Sequence, residues 1–232
     1  MKIIGLFLLF ALLFNEIIIS QGLPEGYILQ YQQDFTNKIS PEEFRFSAPD
    51  LFDVKTGKVT GFLQMSPVPQ KDSVLNRQDN LFIVDNIIFG DFILEVNAMS
   101  TEPVTETGLS FYFGVKDTLN YYCLRILTHT GENDTLLFAK LKGRHKKIDT
   151  KTNSAIAWVP GKWHKLRIER DIVATSLKLY FDNMKTPCIV MVDRTFIMGY
   201  IGFGPGATTT RISNIKIWSQ TSIPQPAKFF SR

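Results

Sequence analysis

Five polar side chains at alternating positions in strand-like segments could together bind a sugar. The segments run from Asp91 to Met99, from Gly108 to Val115 and from Asn120 to Leu127. Each alternates apolar residues with a mixed polar set, as strands with one buried face do. If the three strands are neighbours, one sheet face carries Glu95, Asn97, Tyr112, Tyr121 and Arg125. Such a face mixes stacking rings with hydrogen-bonding groups, as ligand sites do, although a merely solvated sheet face would show the same pattern.

This set of residues is a poor match to glycosidase chemistry. Cleavage of a glycosidic bond usually needs two carboxyl groups, one of which must hold a proton. The inferred face supplies only Glu95, and Arg125 beside it would favour the ionised carboxylate. The loop residues Asp79, Asp85 and Asp117 could supply a second carboxylate, but the sequence does not place them. We therefore expect binding without catalysis, and we name Glu95 as the catalytic carboxylate only if the protein is an enzyme.

Other chemistries have weaker support in the sequence. No metal-like spacing relates the three histidines, which we interpret as surface or strand residues: His129, His145 and His164. The Gly-x-Ser-x-Gly motif of serine hydrolases is absent. We expect no metal site and no cofactor, with a structural calcium ion left open. The tryptophans are more typical of packing than of stacking platforms, and Trp158, beside a Pro-Gly turn, is expected to be the most exposed of them.

A glycine-rich stretch from Gly199 to Trp218, GYIGFGPGATTTRISNIKIW, superficially suggests a phosphate-binding loop. Such a loop works only when its amides open a helix, whose N-terminal N–H groups hold the anion. Here the glycines are followed by a run rich in threonine and isoleucine, which favours a strand. The stretch is therefore predicted to be two strands joined by a turn around Gly204, Pro205 and Gly206.

The elements that must position these residues are predicted to be β-strands throughout. The chain has 232 residues, of which 44% are hydrophobic and 21% charged, enough for one large core. Strand signals recur from Tyr27 to Trp218 without a convincing helix, which predicts two packed antiparallel sheets. The formal net charge of +4 is compatible with acidic glycans and too small to suggest nucleic acid. The basic run from Lys140 to Lys151 is predicted to be a solvated hairpin.

The first 22 residues are typical of a secretory signal peptide. Lys2 precedes an unbroken apolar run from Ile3 to Phe14, and small residues follow at Ser20 and Gly22. The run is shorter than the roughly 20 apolar residues that span a bilayer, so cleavage is favoured over a membrane anchor. Export predicts a secreted, periplasmic or extracellular protein with no membrane span after cleavage. Both cysteines, Cys123 and Cys188, lie in strand-like runs and are predicted to be unpaired, with a single disulfide as the alternative.

The last third of the chain resembles the ending of concanavalin A-like lectin/glucanase sandwiches. The similarity rests on three stretches: GKWHKLRIERD, SLKLYFDN and GYIGFGPGATTTRISNIKIW. It is greatest to the 3-keto-disaccharide hydrolase-like domains, which are related to family-16 glycosidases. The resemblance implies an all-β, two-sheet antiparallel jelly-roll sandwich with a concave sheet facing carbohydrate.

The functional positions of that family match poorly. Tyr112 stands where the hydrolases carry an arginine, Cys123 replaces a glutamate and Thr128 replaces an aspartate. The Glu-x-Asp-x-x-Glu signature of family-16 glucanases is absent. We therefore divide the chain into a signal peptide (1–22), a sandwich (23–218) and a C-terminal tail (219–232) lying loosely on the surface. Non-catalytic glycan binding is the predicted function. The alternatives are a glycoside-cleaving enzyme and an envelope module that binds another protein. The sequence leaves the oligomeric state open.

Overall fold

Two antiparallel sheets form the protein in a computed structural model that describes residues 23–37, 43–67, 80–103, 107–127, 136–152, 154 and 156–230. The predicted signal peptide, Asp79 and His129 lie outside these residues. One 3-10 turn (Pro49–Leu51) is present, and no helix in the described ranges is long and apolar enough to cross a membrane. The strands are β1 (Ile28–Gln33), β2 (Phe44–Phe46), β3 (Phe52–Lys55), β4 (Phe62–Met65), β5 (Phe82–Val84), β6 (Ile87–Phe89), β7 (Phe92–Ser100), β8 (Thr107–Asp117), β9 (Asn120–Leu127), β10 (Leu136–Leu141), β11 (Arg144–Ile148), β12 (Thr150–Thr152), β13 (His164–Asp171), β14 (Ser176–Phe181), β15 (Ile189–Val192), β16 (Tyr200–Pro205), β17 (Thr210–Ser219) and β18 (Ser222–Pro224).

The strands of the described residues are divided between a large and a small sheet. The large sheet has nine strands in the order β12-β15-β14-β13-β7-β17-β4-β3, with β1 also paired to β17. The small sheet has seven strands in the order β11-β10-β9-β8-β16-β5-β2. A third pairing joins β6 to β18 as a two-stranded ribbon. The glycine-rich stretch forms two strands as predicted, β16 and β17, and these belong to different sheets. The predicted turn around Gly204 is wrong, because Gly204 and Pro205 lie within β16 and pair with β8, and the connection follows them.

The main core lies between the two sheets and is built from one face of each strand. Alternate residues of β7 and β8 are fully buried there, as are residues of β13 and β16; examples are Leu94, Phe111, Leu166 and Phe203. Since strand side chains point alternately to opposite faces, the intervening residues lie on the outer faces of the two sheets. The positions of the predicted functional residues follow from this alternation.

A second apolar cluster covers the outer face of the small sheet. Its buried members include Ile83, Tyr112, Tyr121 and Tyr200, and Phe229 and Phe230 pack against it. These last two residues belong to the C-terminal strap, defined as residues 222–230. The expectation of a loose tail from residue 219 is therefore wrong, since β17 runs to Ser219 and the strap pairs with β6 through β18. Apolar residues of the tail are used to cover a sheet face that would otherwise be exposed.

Two smaller predictions are confirmed by the structure. The basic run from Lys140 to Lys151 contains a hairpin, in which β10 pairs with β11. Cys123 and Cys188 are both buried free thiols, not a disulfide. Burial raises the pKa of the Cys188 thiol to about 11, so it stays protonated at neutral pH.

Candidate functional site

The five residues predicted to share one polar face lie on opposite sides of the molecule. Glu95 and Asn97 are on β7, whose neighbours in the large sheet are β13 and β17. Tyr112 is on β8, and Tyr121 and Arg125 are on β9, in the small sheet. The assumption that these three strands are neighbours is therefore wrong, because the chain crosses from one sheet to the other between β7 and β8.

The three predicted residues of the small sheet are buried. Tyr112 is 2% exposed, Tyr121 1% and Arg125 4%. The two tyrosine rings meet edge to face with centroids 5.5 Å apart, and the Arg125 guanidinium lies 5.4 Å from the centroid of the Phe138 ring. Lys140 also donates a hydrogen bond of 2.8 Å to the Tyr121 hydroxyl. These side chains hold the covered face of the small sheet together.

The outer face of the large sheet carries an open groove of about 690 Å³. Its polar lining comes from β1, β7, β13 and β17 and from the segment before β1: Tyr27, Gln32, Glu95, Lys165, Arg167 and Lys216. Its apolar lining is Leu23, Pro24, Leu29 and Trp218. Glu95, predicted from the sequence, is thus in this groove, while Asn97 lies on the same face of β7, one alternation away.

A row of polar side chains runs across the groove from strand to strand. Lys216 of β17 is the register partner of both Gln32 of β1 and Glu95 of β7. Glu95 in turn is paired with Arg167 of β13, and Arg167 with Tyr180 of β14. Directly opposed residues on one sheet face have Cβ atoms about 5 Å apart, so their side chains can act on the same ligand.

Ion pairs fix the carboxylates of this row. Glu95 is 2.8 Å from the Lys165 ammonium and 3.8 Å from the Arg167 guanidinium. Arg167 also lies 2.9 Å from Glu169, a second carboxylate on the same face. The Tyr180 hydroxyl donates to Glu169 at 3.0 Å, and burial, followed by the nearby Glu169, raises the Tyr180 pKa to about 12. Tyr180 therefore remains a hydrogen-bond donor at neutral pH.

A bulge in β17 places Lys216 and Trp218 on the groove side of the sheet. Ser213 is paired with Asn97 and Lys216 with Glu95, so β17 contains one residue more than β7 between these two pairs. Asn214, within the bulge, has a φ of 50°, a conformation that asparagine adopts more readily than most residues. With unbroken alternation from the buried Ile212, Lys216 and Trp218 would instead face the core.

The aromatic lining of the groove comes from Trp218 and Tyr27. Trp218 is half-buried beside Ile93, its register partner in β7. Burial, together with the nearby carboxylates of Asp91 and Asp171, raises the pKa of Tyr27 to about 12. Its phenol is therefore protonated at neutral pH. The expectation that Trp158 is the most exposed tryptophan is wrong: it is 8% exposed and packs on Phe181 with ring centroids 5.1 Å apart.

A second aromatic pair lies on the same face, toward the other end of β7. Trp163 is 40% exposed, and its ring centroid is 6.5 Å from that of Phe62. The Arg211 guanidinium lies 4.7 Å from the Phe62 ring centroid. Trp163 precedes His164, which is paired with Ala98, whereas Trp218 is paired with Ile93. Trp163 is therefore level with Met99, six residues along β7 from Ile93. At 3.3 Å per residue, the two aromatic groups are about 20 Å apart along β7.

The loop carboxylates considered from the sequence do not reach Glu95. Asp85 is buried at the end of β5 in the small sheet, where it pairs with Arg45 at 2.7 Å. Asp117 accepts hydrogen bonds from the Leu119 N–H and the Asn120 side chain in the β8–β9 turn. Glu169 of β13 shares a face with Glu95, and sequence reasoning missed it although it alternates with the buried Ile168.

The histidines described by the structure are strand residues, as predicted. His145 lies in β11 and His164 in β13. Both ring nitrogens of His164 are engaged, Nδ1 with Asp182 at 2.8 Å and Nε2 with the Val159 N–H at 3.0 Å. Burial alone would raise the pKa of Asp182, but the hydrogen bond from His164 contributes to a net decrease. Across the described ranges no three His, Cys, Asp or Glu side chains converge as metal ligands would.

Comparison with known proteins identifies the fold as a jelly-roll sandwich. No protein-family model matches the chain, and no curated protein matches it. Similar solved structures include the carbohydrate-binding module CBM66 from Bacillus subtilis, with 17% identity, a TM-score of 0.55 and coverage of 76% of this chain and 96% of that one. The cellulose-induced protein Cip1 has 10% identity, a TM-score of 0.56 and coverage of 83% and 98%. A GlcNAcα1-4Gal-releasing endo-β-galactosidase from Clostridium perfringens has 12% identity, a TM-score of 0.51 and coverage of 90% and 64%. The likeness is one of fold, and it confirms the two-sheet antiparallel jelly roll.

Proposed function

We propose that this protein binds a chain-like glycan in the groove of the large sheet. The observation that carries the proposal is the half-buried indole of Trp218 beside a cross-strand row of hydrogen-bonding side chains on an open sheet face. Sugars present apolar ring faces rimmed by hydroxyl groups, so a site for them combines an aromatic surface with directional polar groups. Gln32, Glu95 and Arg167 supply such groups within the groove.

The length of the face favours a polysaccharide over a single sugar. Trp218 and Trp163 are separated by about 20 Å along β7, with the charged row between them. A chain of sugars laid along β7 would contact both aromatic groups and place its hydroxyls over Glu95 and Asn97. The fold gives independent support, since CBM66, a carbohydrate-binding module by name, shares this sandwich.

A hydrolase, of the 3-keto-disaccharide hydrolase-like kind or another, is the second candidate function. It is favoured by Glu169, which gives Glu95 a second carboxylate on the same face. Both carboxylates, however, are held in ion pairs with Arg167, and Glu95 also pairs with Lys165. A glycosidase needs one carboxyl group that carries a proton to the leaving oxygen, and an environment of cations opposes that state. We therefore place non-catalytic binding first.

Replacing Trp218 with alanine is expected to weaken binding to a responsive polysaccharide by about tenfold to hundredfold, because a central aromatic contact is lost. The measurement is retention in affinity electrophoresis on a panel of soluble polysaccharides, followed by titration calorimetry. Leu141→Ala is the matched control, since Leu141 is an exposed apolar side chain of the small sheet, 48% accessible. Its affinity should equal that of the wild type.

Glu95→Gln separates binding from catalysis in the same assay. If Glu95 only accepts hydrogen bonds, the variant should bind with modestly reduced affinity and the wild type should release no reducing sugar. Release of sugar by the wild type, abolished in Glu95→Gln with binding intact, would establish the hydrolase instead. Failure of the folded wild type to bind any polysaccharide would reject the glycan proposal and favour a protein ligand on the same face.

Export is part of the proposal, because the polysaccharides that such a groove would bind lie outside the cytoplasm. The apolar run from Ile3 to Phe14 and the small residues after it lead us to expect removal of the leader near residue 21 or 23. Mass spectrometry of the protein recovered from its native host should show an N-terminus at Gln21 or Leu23. An intact Met1 in a membrane fraction would contradict this expectation.

A further inference from the structure

The groove carries more positive than negative charge. Its lining includes three cations, Lys165, Arg167 and Lys216, and one carboxylate, Glu95. Glu95 is already engaged by Lys165 at 2.8 Å and Arg167 at 3.8 Å, and Arg167 also pairs with Glu169. Glu169 also lies 4.0 Å from Lys178 of β14. These two carboxylates are therefore shared among cations of β13 and β14, and neither forms an ion pair with the third cation of the lining, on β17.

Lys216 is this uncompensated cation. Although it is the register partner of Glu95, its ammonium forms no ion pair or hydrogen bond with any residue that the structure describes. It is half-buried in the groove and not extended freely into solvent. The electric field of an ammonium group in a cleft acts strongly on a ligand bound there. The group can also donate up to three hydrogen bonds to an anion.

We infer that the glycan is anionic and that Lys216 binds its carboxylate or sulfate group. The inference rests on the proposed glycan function. Lys216 and Trp218 are two residues apart on one face of β17, about 7 Å along the strand. A sugar ring stacked on Trp218 would thus bring an acidic substituent within reach of Lys216.

The test compares polymers that differ in charge but share a backbone. Polygalacturonate and its methyl ester form one pair, and dextran sulfate and dextran form the other. The wild type is expected to bind the anionic member of at least one pair about tenfold or more tightly than the neutral member at 150 mM salt. The pair that shows the preference distinguishes a carboxylate from a sulfate ligand.

Lys216→Gln is expected to lower affinity for the preferred anionic polymer about tenfold and to leave affinity for the neutral member unchanged, because one charge-assisted contact is lost. Lys216→Arg should keep most of the preference for the anionic over the neutral polymer. Lys147→Gln is the matched control, since Lys147 is exposed on the small-sheet hairpin and its loss changes the net charge equally.

Three outcomes would overturn the inference. Equal effects of Lys147→Gln and Lys216→Gln, or equal competition by inorganic polyphosphate, would show general attraction of polyanions to a basic protein. Binding to neutral polymers that depends on Trp218 but not on Lys216 would reject the anionic ligand and leave the glycan function standing. Binding to none of the polymers in either assay would reject both the anionic ligand and the glycan function.

Discussion

Tyr112→Ala is expected to lower the free energy of unfolding by about 3–5 kcal/mol, the usual cost of removing a buried aromatic side chain. Tyr112 is 2% exposed in the second apolar cluster and stacks edge to face on Tyr121. Its ring also packs over Gly204 of the neighbouring strand, where a Cβ would come within 2.9 Å of it. Deletion of the ring would leave a cavity in the second apolar cluster, on the outer face of the small sheet.

The measurement is urea or thermal unfolding of the purified protein. At about 2–4 °C per kcal/mol for a chain of this size, the melting temperature should fall by roughly 6–20 °C. Tyr112→Phe keeps the ring and should lose much less stability. Glu95→Gln should have a melting temperature close to that of the wild type. The sequence interpretation predicts the opposite, a loss of glycan binding without a loss of stability. That result for Tyr112→Ala or Arg125→Ala would contradict the structure.

Asp85→Ala is expected to destabilise the fold by a similar amount and to release the C-terminal strap. The Asp85 carboxylate is fully buried and pairs with the Arg45 guanidinium at 2.7 Å. It also accepts the N–H of Ala227 at 2.7 Å and that of Asn86 at 2.8 Å. Removing one partner of a buried ion pair costs about 3–5 kcal/mol, because the other charge is left without compensation.

Two measurements separate the stability loss from the release of the strap. Chemical unfolding should give the loss of free energy, and hydrogen exchange should show that the Ala227 amide loses protection before the sheets do. The double variant Asp85→Leu with Arg45→Leu should recover part of the loss, since it leaves no unpaired buried charge. A melting temperature within about 2 °C of the wild type for Asp85→Ala, together with a protected Ala227 amide, would show that the carboxylate does not hold the strap.

The candidate site was predictable only in part. Glu95 and Asn97 could be assigned to an outward face of β7, because their neighbours Leu94 and Val96 are apolar. The same alternation marks Lys165, Arg167 and Glu169 in β13, so these residues could have been found from the sequence. Ile215 and Ile217 mark Lys216 as outward-facing in the same way. Alternation counted from Ile212 would instead assign Lys216 and Trp218 to the core, because the bulge at Asn214 shifts the end of β17 out of phase with its start.

The sequence by itself determined the all-β architecture, most of the strands and, for most of them, the side that faces the main core. These properties depend on local alternation of apolar and polar residues, which is legible along the chain. The tertiary structure alone decided which strands are neighbours. Both sheets bury the same kind of apolar face in one core, so β7 and β8 have similar patterns although they lie in different sheets. Tyr112 and Tyr121, outward-facing by pattern, are buried in the second apolar cluster, against which Phe229 and Phe230 of the C-terminal strap pack. Arg125, also outward-facing by pattern, is buried beside the Phe138 ring. The binding face was set by strand pairing between distant segments, which no local pattern specifies.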